Sequence, residues 1–546
     1  MTAQTLEAAP STHNRAGCPA PTIPEVTLPE YVLGTAAERG SKLALVEADS
    51  GRALTYVDLA DAVRRVGTGL ANCGVGATDV VALCAPNSID FVVGWYAASS
   101  IGATLTTVNP LSTGEEITHH LRRTRACWLI TTAELFADKA GAAAAAGGIH
   151  ETFVIGRRPG QAPAEVPFES LWRTPPRETV PRAVRSTDIA FLPSSSGTTG
   201  LPKSVLLTHR NLVASLCQTR LIQRFTEADT VLAVLPLFHI FGLQLTMNLA
   251  LLEGATVVLQ PRFDLESFLR AVQDHAVTSA AVVPPIILAL AQHPAVDRYD
   301  LSSLRDLTCG AAPLGGDLAR ACAARLGCRI RQGYGLTELG GGTHIAPADG
   351  PDRPESIGPP LPGVEARVVN PDTAQNVNPG QPGELWVRAP GTMLGYLDDP
   401  AATAATVDAD GWMHTGDIVT VDADGWYYVT DRIKELIKYK GFQVAPAELE
   451  ALLVTHPAVA DAAVVPHPDP AAGEVPKAFV VLRAPATAAE LMDWLGERVA
   501  PYKRVRRLEF IEAIPKSPSG KILRRLLVER KRTAPADTFA TAGQRP

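Results

Sequence analysis

The sequence predicts an α/β protein. It is expected to have a large N-terminal domain of layered α/β subdomains plus a small β-rich subdomain, then a C-terminal α+β domain. Three observations carry this expectation. Helical spacing alternates with short apolar runs through the first part of the chain, turn dipeptides punctuate the stretch after Pro359, and helix-like and strand-like segments mix beyond Arg432. Helices alternating with short buried strands are the pattern of a largely parallel sheet covered on both faces.

Residues 1–25 are rich in Ala, Pro, Ser and Thr, show no period and are expected to form a flexible arm. Leu59–Leu70 has helical spacing and Val80–Ala85 is a short apolar strand. Phe91–Ser99 is helical again and Ala103–Val108 strand-like. The alternation returns at Val231–Leu235, Thr256–Leu259 and Ser279–Val283. After Pro359, Gly363-Val364, Pro371-Asp372, Pro379-Gly380 and Asp424-Gly425 separate runs such as Glu384–Arg388 and Trp426–Thr430, which reads as hairpins. Beyond Arg432 come a helix (Ala447–Val454), two strands (Ala460–Pro466 and Lys477–Leu482) and a helix (Ala488–Ala500). The expected units are the arm (1–25), an N-terminal domain (26–432, its β-rich subdomain about 360–432), a C-terminal domain (433–533) and a disordered tail (534–546).

A length of 546 residues suggests about three or four compact units. With 46% hydrophobic and 20% charged residues, whole-chain disorder and a coiled coil are excluded. Fifty Lys and Arg against fifty-seven Asp and Glu give a net charge of −7, with no general attraction to nucleic acid or an anionic membrane. No apolar run approaches the ~20 residues of a membrane span, and the longest, Ala280–Ala291, is broken by Pro284 and Pro285. Met1–Pro10 lacks a secretory pattern, and eight sparse cysteines without a C-x-x-C pair read as reduced thiols. A cytoplasmic protein, monomer or homodimer, is expected.

Four segments carry chemistry. The first is Ser194-Ser195-Ser196-Gly197-Thr198-Thr199-Gly200-Leu201-Pro202-Lys203, between the strand-like runs Asp188–Leu192 and Val205–Leu207. Small residues let the backbone approach an anion, hydroxyls and amides can surround phosphate oxygens, and Lys203 adds a point charge. No Gly-Lys-Ser/Thr step closes it, so it is not a Walker A loop. The second, Gln332-Gly333-Tyr334-Gly335-Leu336-Thr337-Glu338, offers a flat ring, a hydroxyl and a carboxylate suited to a phosphate and a hard cation. The third holds Thr415-Gly416-Asp417, Asp431-Arg432-Ile433-Lys434-Glu435 and Lys438-Tyr439-Lys440-Gly441-Phe442-Gln443. The fourth is the turn Pro515-Lys516-Ser517-Pro518-Ser519-Gly520-Lys521.

Together, in this order, these segments resemble the adenylate-forming enzymes: acyl-CoA synthetases, firefly luciferase and peptide-synthetase adenylation domains. Glu435–Glu450 looks most like the 4-coumarate-CoA ligases. The resemblance implies an ATP-dependent acid-CoA ligase that works through an acyl-adenylate and uses ATP, Mg²⁺ and coenzyme A, with a small carboxylic acid as partner. It implies that Ser195, Ser196, Gly197, Thr198, Thr199 and Lys203 cradle the ATP phosphates. Tyr334, in the turn shaped by Gly333 and Gly335, would stack near adenine, and Thr337 would meet the α-phosphate. Glu338, with Thr199, would hold Mg²⁺. Asp417 and Arg432 would reach the ribose, and Lys434 matches a hinge about which the C-terminal domain moves. Lys438, Lys440, Gly441 and Gln443 match positions near AMP and the coenzyme A arm, Arg262 matches a position meeting coenzyme A phosphates, and Lys521 matches the lysine bridging carboxylate and α-phosphate.

By the same resemblance, Leu235–Gln244 would wall the acyl pocket, with His239 beside the carboxylate and Phe241, Gly310, Gly335, Gly341 and Gly342 around the acyl group. No acidic residue lies between Thr230 and Leu252, so a substrate ammonium would be unpaired, which disfavours amino acids. The 4-coumarate ligases carry Tyr where Phe241 aligns and bulkier residues at Gly341 and Gly342. A more apolar pocket suits cinnamate-type acids lacking ring hydroxyls or medium-chain fatty acids, the aliphatic acid slightly favoured. An acyl-AMP ligase loading a carrier protein, a luciferase-like oxygenase and a non-catalytic acyl- or nucleotide-binding regulator are the alternatives.

Overall fold

The computed structural model describes residues 19–156, 165–176, 184–195, 203–432, 435–440, 442–469, 472–517, 520–530 and 540–541. Two large sheets dominate. In one, the order is Gly341–Ile345, Arg329–Leu336, Asp306–Cys309, Ser279–Val282, Thr230–Ala233, Thr256–Leu259, Leu43–Glu47, Ala53–Thr55. Its interior pairs are parallel and both edges antiparallel. The other runs Gly395–Tyr396, Lys203–Thr208, Ile189–Phe191, Thr104–Thr107, Val80–Cys84, Trp128–Thr132, Glu151–Ile155, Val166–Pro167, with Ser194–Ser195 paired to Lys203–Thr208.

Helix Ile89–Ser100 is buried almost all round, because its sequence, IDFVVGWYAASS, is apolar on every face. Its one charged side chain, Asp90, receives Nη2 of Arg52 at 3.1 Å. Helix Tyr56–Asn72 is amphipathic and begins at a Thr55–Asp58 capping box. One continuous apolar core runs through both sheets and these helices.

An antiparallel sheet, Glu365–Val369, Gly383–Arg388, Met413–Val421 and Tyr427–Arg432, follows with its own core around Leu385, Val387, Val419 and Tyr427. The C-terminal unit packs helices Pro446–Leu453 and Ala488–Gly496 on the strands Val459–Asp469, Gly473–Leu482 and Arg507–Phe510, around Leu449, Val464, Val480 and Leu495.

Three expectations change. Residues 19–25 are tied to the body: Ser186 Oγ donates to Glu25 Oε2 at 2.6 Å and Arg210 pairs with Glu25; the rest of the expected arm lies outside the described residues. The helix expected over Ala488–Ala500 stops at Gly496, whose carbonyl accepts from Arg504 Nε at 3.1 Å. Within the expected tail, Ala540–Thr541 pair with Arg507 and Leu508, and the remainder is outside the described residues. The described cysteines, Cys73, Cys84, Cys127, Cys217, Cys309, Cys322 and Cys328, are free. Among the described residues no helix is long and apolar enough to cross a membrane.

Candidate active site

The loops at the carboxyl ends of Thr230–Ala233, Asp306–Cys309 and Arg329–Leu336 open onto a cavity of about 490 Å³. Crevices at strand carboxyl ends are where open α/β sheets bind ligands. Its walls include Ser195, Lys203, His239, Phe241, Gly310, Gly333–Glu338, Gly341, Gly342, Arg432 and Lys521. A second cleft, about 220 Å³, continues between the body and the C-terminal unit past Ala311–Gly315, Tyr334, Asp417, Arg432 and Lys521.

The strand Arg329–Leu336 outruns its parallel partner and turns back as Gly341–Ile345, with Tyr334 opposite His344 and Leu336 opposite Gly341. The turn between them carries Thr337 and Glu338, both buried. Glu338 Oε1 accepts from Ser195 Oγ at 2.6 Å and from Tyr396 OH at 2.8 Å. Lys203 Nζ lies 4.8 Å over the Tyr396 ring. Among the described residues no cluster of three or more His, Cys, Asp or Glu groups could hold a metal. Glu338 thus stands outside any such cluster, which fits Mg²⁺ that would arrive with phosphates and waters rather than sit in a protein cage.

Tyr334 donates its hydroxyl to Asp417 Oδ2 at 2.6 Å, and Arg432 Nε stands 2.9 Å from Oδ1. Adjacent strands bring Asp417 and Arg432 into register. Burial raises the Asp417 carboxyl above its ordinary range, against the opposing pull of Arg432, Tyr334 and Lys521. Each carboxylate oxygen keeps a lone pair for a ligand hydroxyl.

Lys521 enters from the C-terminal unit on a tight turn. Ser517 N donates to Lys521 O at 2.8 Å and Lys521 N to Ser517 Oγ at 3.1 Å. Gly520 has φ +79° and packs so closely on Val283 that a Cβ would stand 3.0 Å from that side chain. Burial, then the Arg432 charge, pushes the Lys521 amine down to about 8, with Glu435, Asp417 and Glu338 opposing. Burial likewise lowers His239 to about 4, aided by Lys521. Phe241 N donates to His239 Nδ1 at 3.3 Å, so the neutral ring carries its proton on Nε2.

The far end of the cavity is apolar: Leu216, Ile240, Phe241, Leu245 and Ile345, with Thr219 and Gln244. Gln244 is already committed, donating to Leu212 O at 3.0 Å and Gly340 O at 3.1 Å. The Phe241 ring covers Gly310, where a Cβ would lie 2.9 Å from Cζ. At Gly335 a Cβ would collide with the Gly341 carbonyl, so a close backbone approach requires glycine there. The two neighbouring glycines differ: Gly341 has φ +142° and no room beside Ser215 Oγ, whereas a Cβ at Gly342 meets only ordinary contacts, Ile345 Cδ1 at 3.8 Å.

Other expected site residues are not brought here. Lys438 is exposed, its N–H bonded to Glu474 Oε2 at 2.8 Å, and neither it nor Lys440, whose N–H donates to Ala472 O at 2.9 Å, lines the cavity. In this arrangement Lys521 occupies the face those lysines were expected to share. Arg262 is exposed in a separate surface pocket with Gln260 and Phe263. Ser196, Gly197, Thr198, Thr199, Lys434 and Gly441 lie outside the described residues, as does the Gln443 side chain. Sequence reasoning missed Tyr396, Leu216, Thr219 and Ile345, none of which sits in a local motif.

A fold of this shape, with a nucleotide-sized cleft closed by a lysine from a separate C-terminal unit, has clear relatives. A family model described as AMP-binding enzyme matches residues 34–397, and one described as AMP-binding enzyme C-terminal domain matches 448–521. The chain belongs to the AMP-binding enzyme family. It is similar to 4-coumarate-CoA ligase 2 of Oryza sativa subsp. japonica, 43% identical over 539 residues, covering 92% of this chain and 93% of that one. Among solved structures, an anthranilate CoA ligase in complex with anthranoyl-AMP has a TM-score of 0.87 at 28% identity, covering 93% of this chain and 98% of that chain. A benzoate CoA ligase from Burkholderia xenovorans has a TM-score of 0.82 at 26% identity, covering 92% and 99%.

Proposed function

We propose that this chain activates a cinnamate-type aromatic acid and transfers it to coenzyme A. The chain is an AMP-forming acid-CoA ligase working through an acyl-adenylate. The carboxylate attacks the ATP α-phosphorus, pyrophosphate leaves, and the coenzyme A thiol then displaces AMP from the acyl carbon. In the first step two anions meet, so the cost is electrostatic and is met by charges already in place. Lys521 stands where it can neutralise both, Thr337 offers a hydroxyl, and the neutral His239 offers Nε2–H. Glu338 would hold the Mg²⁺ that accompanies ATP, which would supply positive charge against the phosphates when bound. Asp417 and Arg432 orient the ribose. The thiol step needs the space Lys521 fills, so the C-terminal unit turns about the hinge position matched by Lys434 and exchanges it for the Lys438–Gln443 loop.

The observation that carries the aromatic reading is the acyl end, whose lining brings side-chain-free backbone (Gly310, Gly333, Gly335, Gly342) together with the Phe241 ring, which packs on Gly310. Bare backbone beside an aromatic ring suits a planar acid, and the aromatic acids named for the relatives agree with it. The test is a panel of cinnamate, 4-coumarate, benzoate and octanoate, following pyrophosphate release and then thioester formation. Cinnamate should give the highest kcat/KM. Octanoate exceeding it by tenfold would replace the aromatic reading with the aliphatic one, and absence of thioester with pyrophosphate released would favour a carrier-protein acceptor.

A further inference from the structure

Behind the phosphate-loop stem, helix Gly114–Thr124 presents His120 to the sheet. His120 Nε2 is 2.8 Å from Thr106 Oγ1, and Nδ1 is 3.2 Å from Ser194 Oγ. The direction of these bonds follows from their neighbour. Thr106 spends its one hydroxyl proton on Leu192 O at 2.8 Å, so it must accept from Nε2–H. Burial, reinforced by the Arg123 and His119 charges, pushes the imidazole down to about 4. The ring is therefore neutral, Nδ1 is an acceptor, and Ser194 donates to it.

Ser194 is one residue before Ser195, which donates to Glu338 Oε1 at 2.6 Å. In the short ladder that closes the loop, Ser194 lies opposite Ser204 and Ser195 opposite Lys203. Lys203 in turn sits over Tyr396, and Tyr396 donates to the same Glu338 oxygen. The contacts thus form a closed circuit from His120 through the stem to the carboxylate and back to the loop's lysine.

We propose that His120 is a positioning residue for the nucleotide: its Nδ1 holds Ser194, and so sets where Ser195, Lys203 and Glu338 stand when MgATP binds. The inference rests on the ligase reading above. It predicts a defect in nucleotide affinity, not in acid affinity, from a residue that touches neither. A histidine that merely fastened a helix to a sheet would lower Tm and leave affinity alone.

The test is calorimetric titration of the full-length protein with MgATP, without acid, beside thermal melting. His120→Leu should weaken the MgATP Kd by about tenfold, and Ser194→Ala, which leaves the helix untouched, by about two- to tenfold, the range for one hydrogen bond lost or left unpaired. His120→Gln, whose amide can donate to Thr106 and accept from Ser194, should stay within about twofold of wild type. The double variant should be no weaker than the worse single, because both remove one contact. An unchanged Kd in Ser194→Ala, or full additivity in the double variant, overturns the proposal even if His120→Leu fails to fold. A wild-type protein that does not bind MgATP overturns the nucleotide reading itself, which is a separate result.

Discussion

The two ends of the cavity are built on opposite principles. At the nucleotide end the side chains are already bonded to one another: Tyr334 and Arg432 to Asp417, Ser195 and Tyr396 to Glu338. At the acyl end the positions that shape the space are ones where a side chain is missing, Gly310, Gly335 and Gly342. Charge needs fixed dipoles that cost no reorganisation at the moment of reaction. An apolar group needs only a space of the right shape. Changes at the first end should therefore alter rate or affinity for every acid, and changes at the second should alter the choice among acids.

The largest break in that contrast is Lys521→Ala. Pyrophosphate release should fall by roughly 10²–10³-fold, the scale for one transition-state donor, with every acid affected alike. Thioester formation from supplied acyl-adenylate should stay near wild type, and equal loss in both half-reactions would remove Lys521 from its role. The amine is charged below its value of about 8 and neutral above it. Adenylation kcat/KM should therefore decline as pH rises through about 8, and this limb should vanish in the alanine variant.

Next comes Gly342→Val, which the backbone admits without strain. It should shift selectivity from cinnamate toward benzoate by about ten- to two-hundredfold, at 1–3 kcal/mol for each methylene-sized contact, with the MgATP Kd unchanged. Gly341→Val is the control: at φ +142° and against Ser215 it should lower Tm rather than reshape the pocket. An identical acid profile in a folded Gly342→Val enzyme would show that this position does not bound the acyl group.

The smallest effect sharpens the contrast from the nucleotide side. Tyr396→Phe removes one of two donors to Glu338 and should weaken MgATP binding by about two- to tenfold, leaving KM for the acid alone. A change in acid preference instead would mean the two ends are coupled through the hairpin that carries both Glu338 and Gly342.

The same contrast decides what could be seen in the sequence. Asp417, Glu338 and Lys521 stand in compact local segments whose order along the chain carries the family resemblance, so they are legible in one dimension. Leu216, Thr219 and Ile345 are ordinary core residues, and only the packing of helix His209–Gln223 against the hairpin strand Gly341–Ile345 makes them a wall. Tyr396 reaches Glu338 because Gly395–Tyr396 adds to the edge of Lys203–Thr208, a pairing between strands far apart in the chain. Gly341 and Gly342 look alike on paper and differ only through a φ angle and one serine oxygen. The alternation of strands and helices was legible over Leu59–Val108, and its strands again at Val231–Leu235, Thr256–Leu259 and Ser279–Val283, since burial on both sheet faces imposes continuous apolar runs. The premature end of the helix at Gly496 was not, because it depends on an arginine arriving from the following loop to take its carbonyl.

The cysteines have a consequence for the chemistry of handling. An acyl-adenylate is a mixed anhydride, and any thiolate within reach would take its acyl group. Burial pushes the thiols of Cys84, Cys322 and Cys328 up to about 12, and it raises that of Cys309, next to cavity-lining Gly310, in the same direction. No described cysteine lines the cavity. The reactive acyl group is thus kept for the incoming coenzyme A thiol, and a colorimetric thiol reagent added during turnover would read the consumption of that cofactor against a low signal from these buried groups.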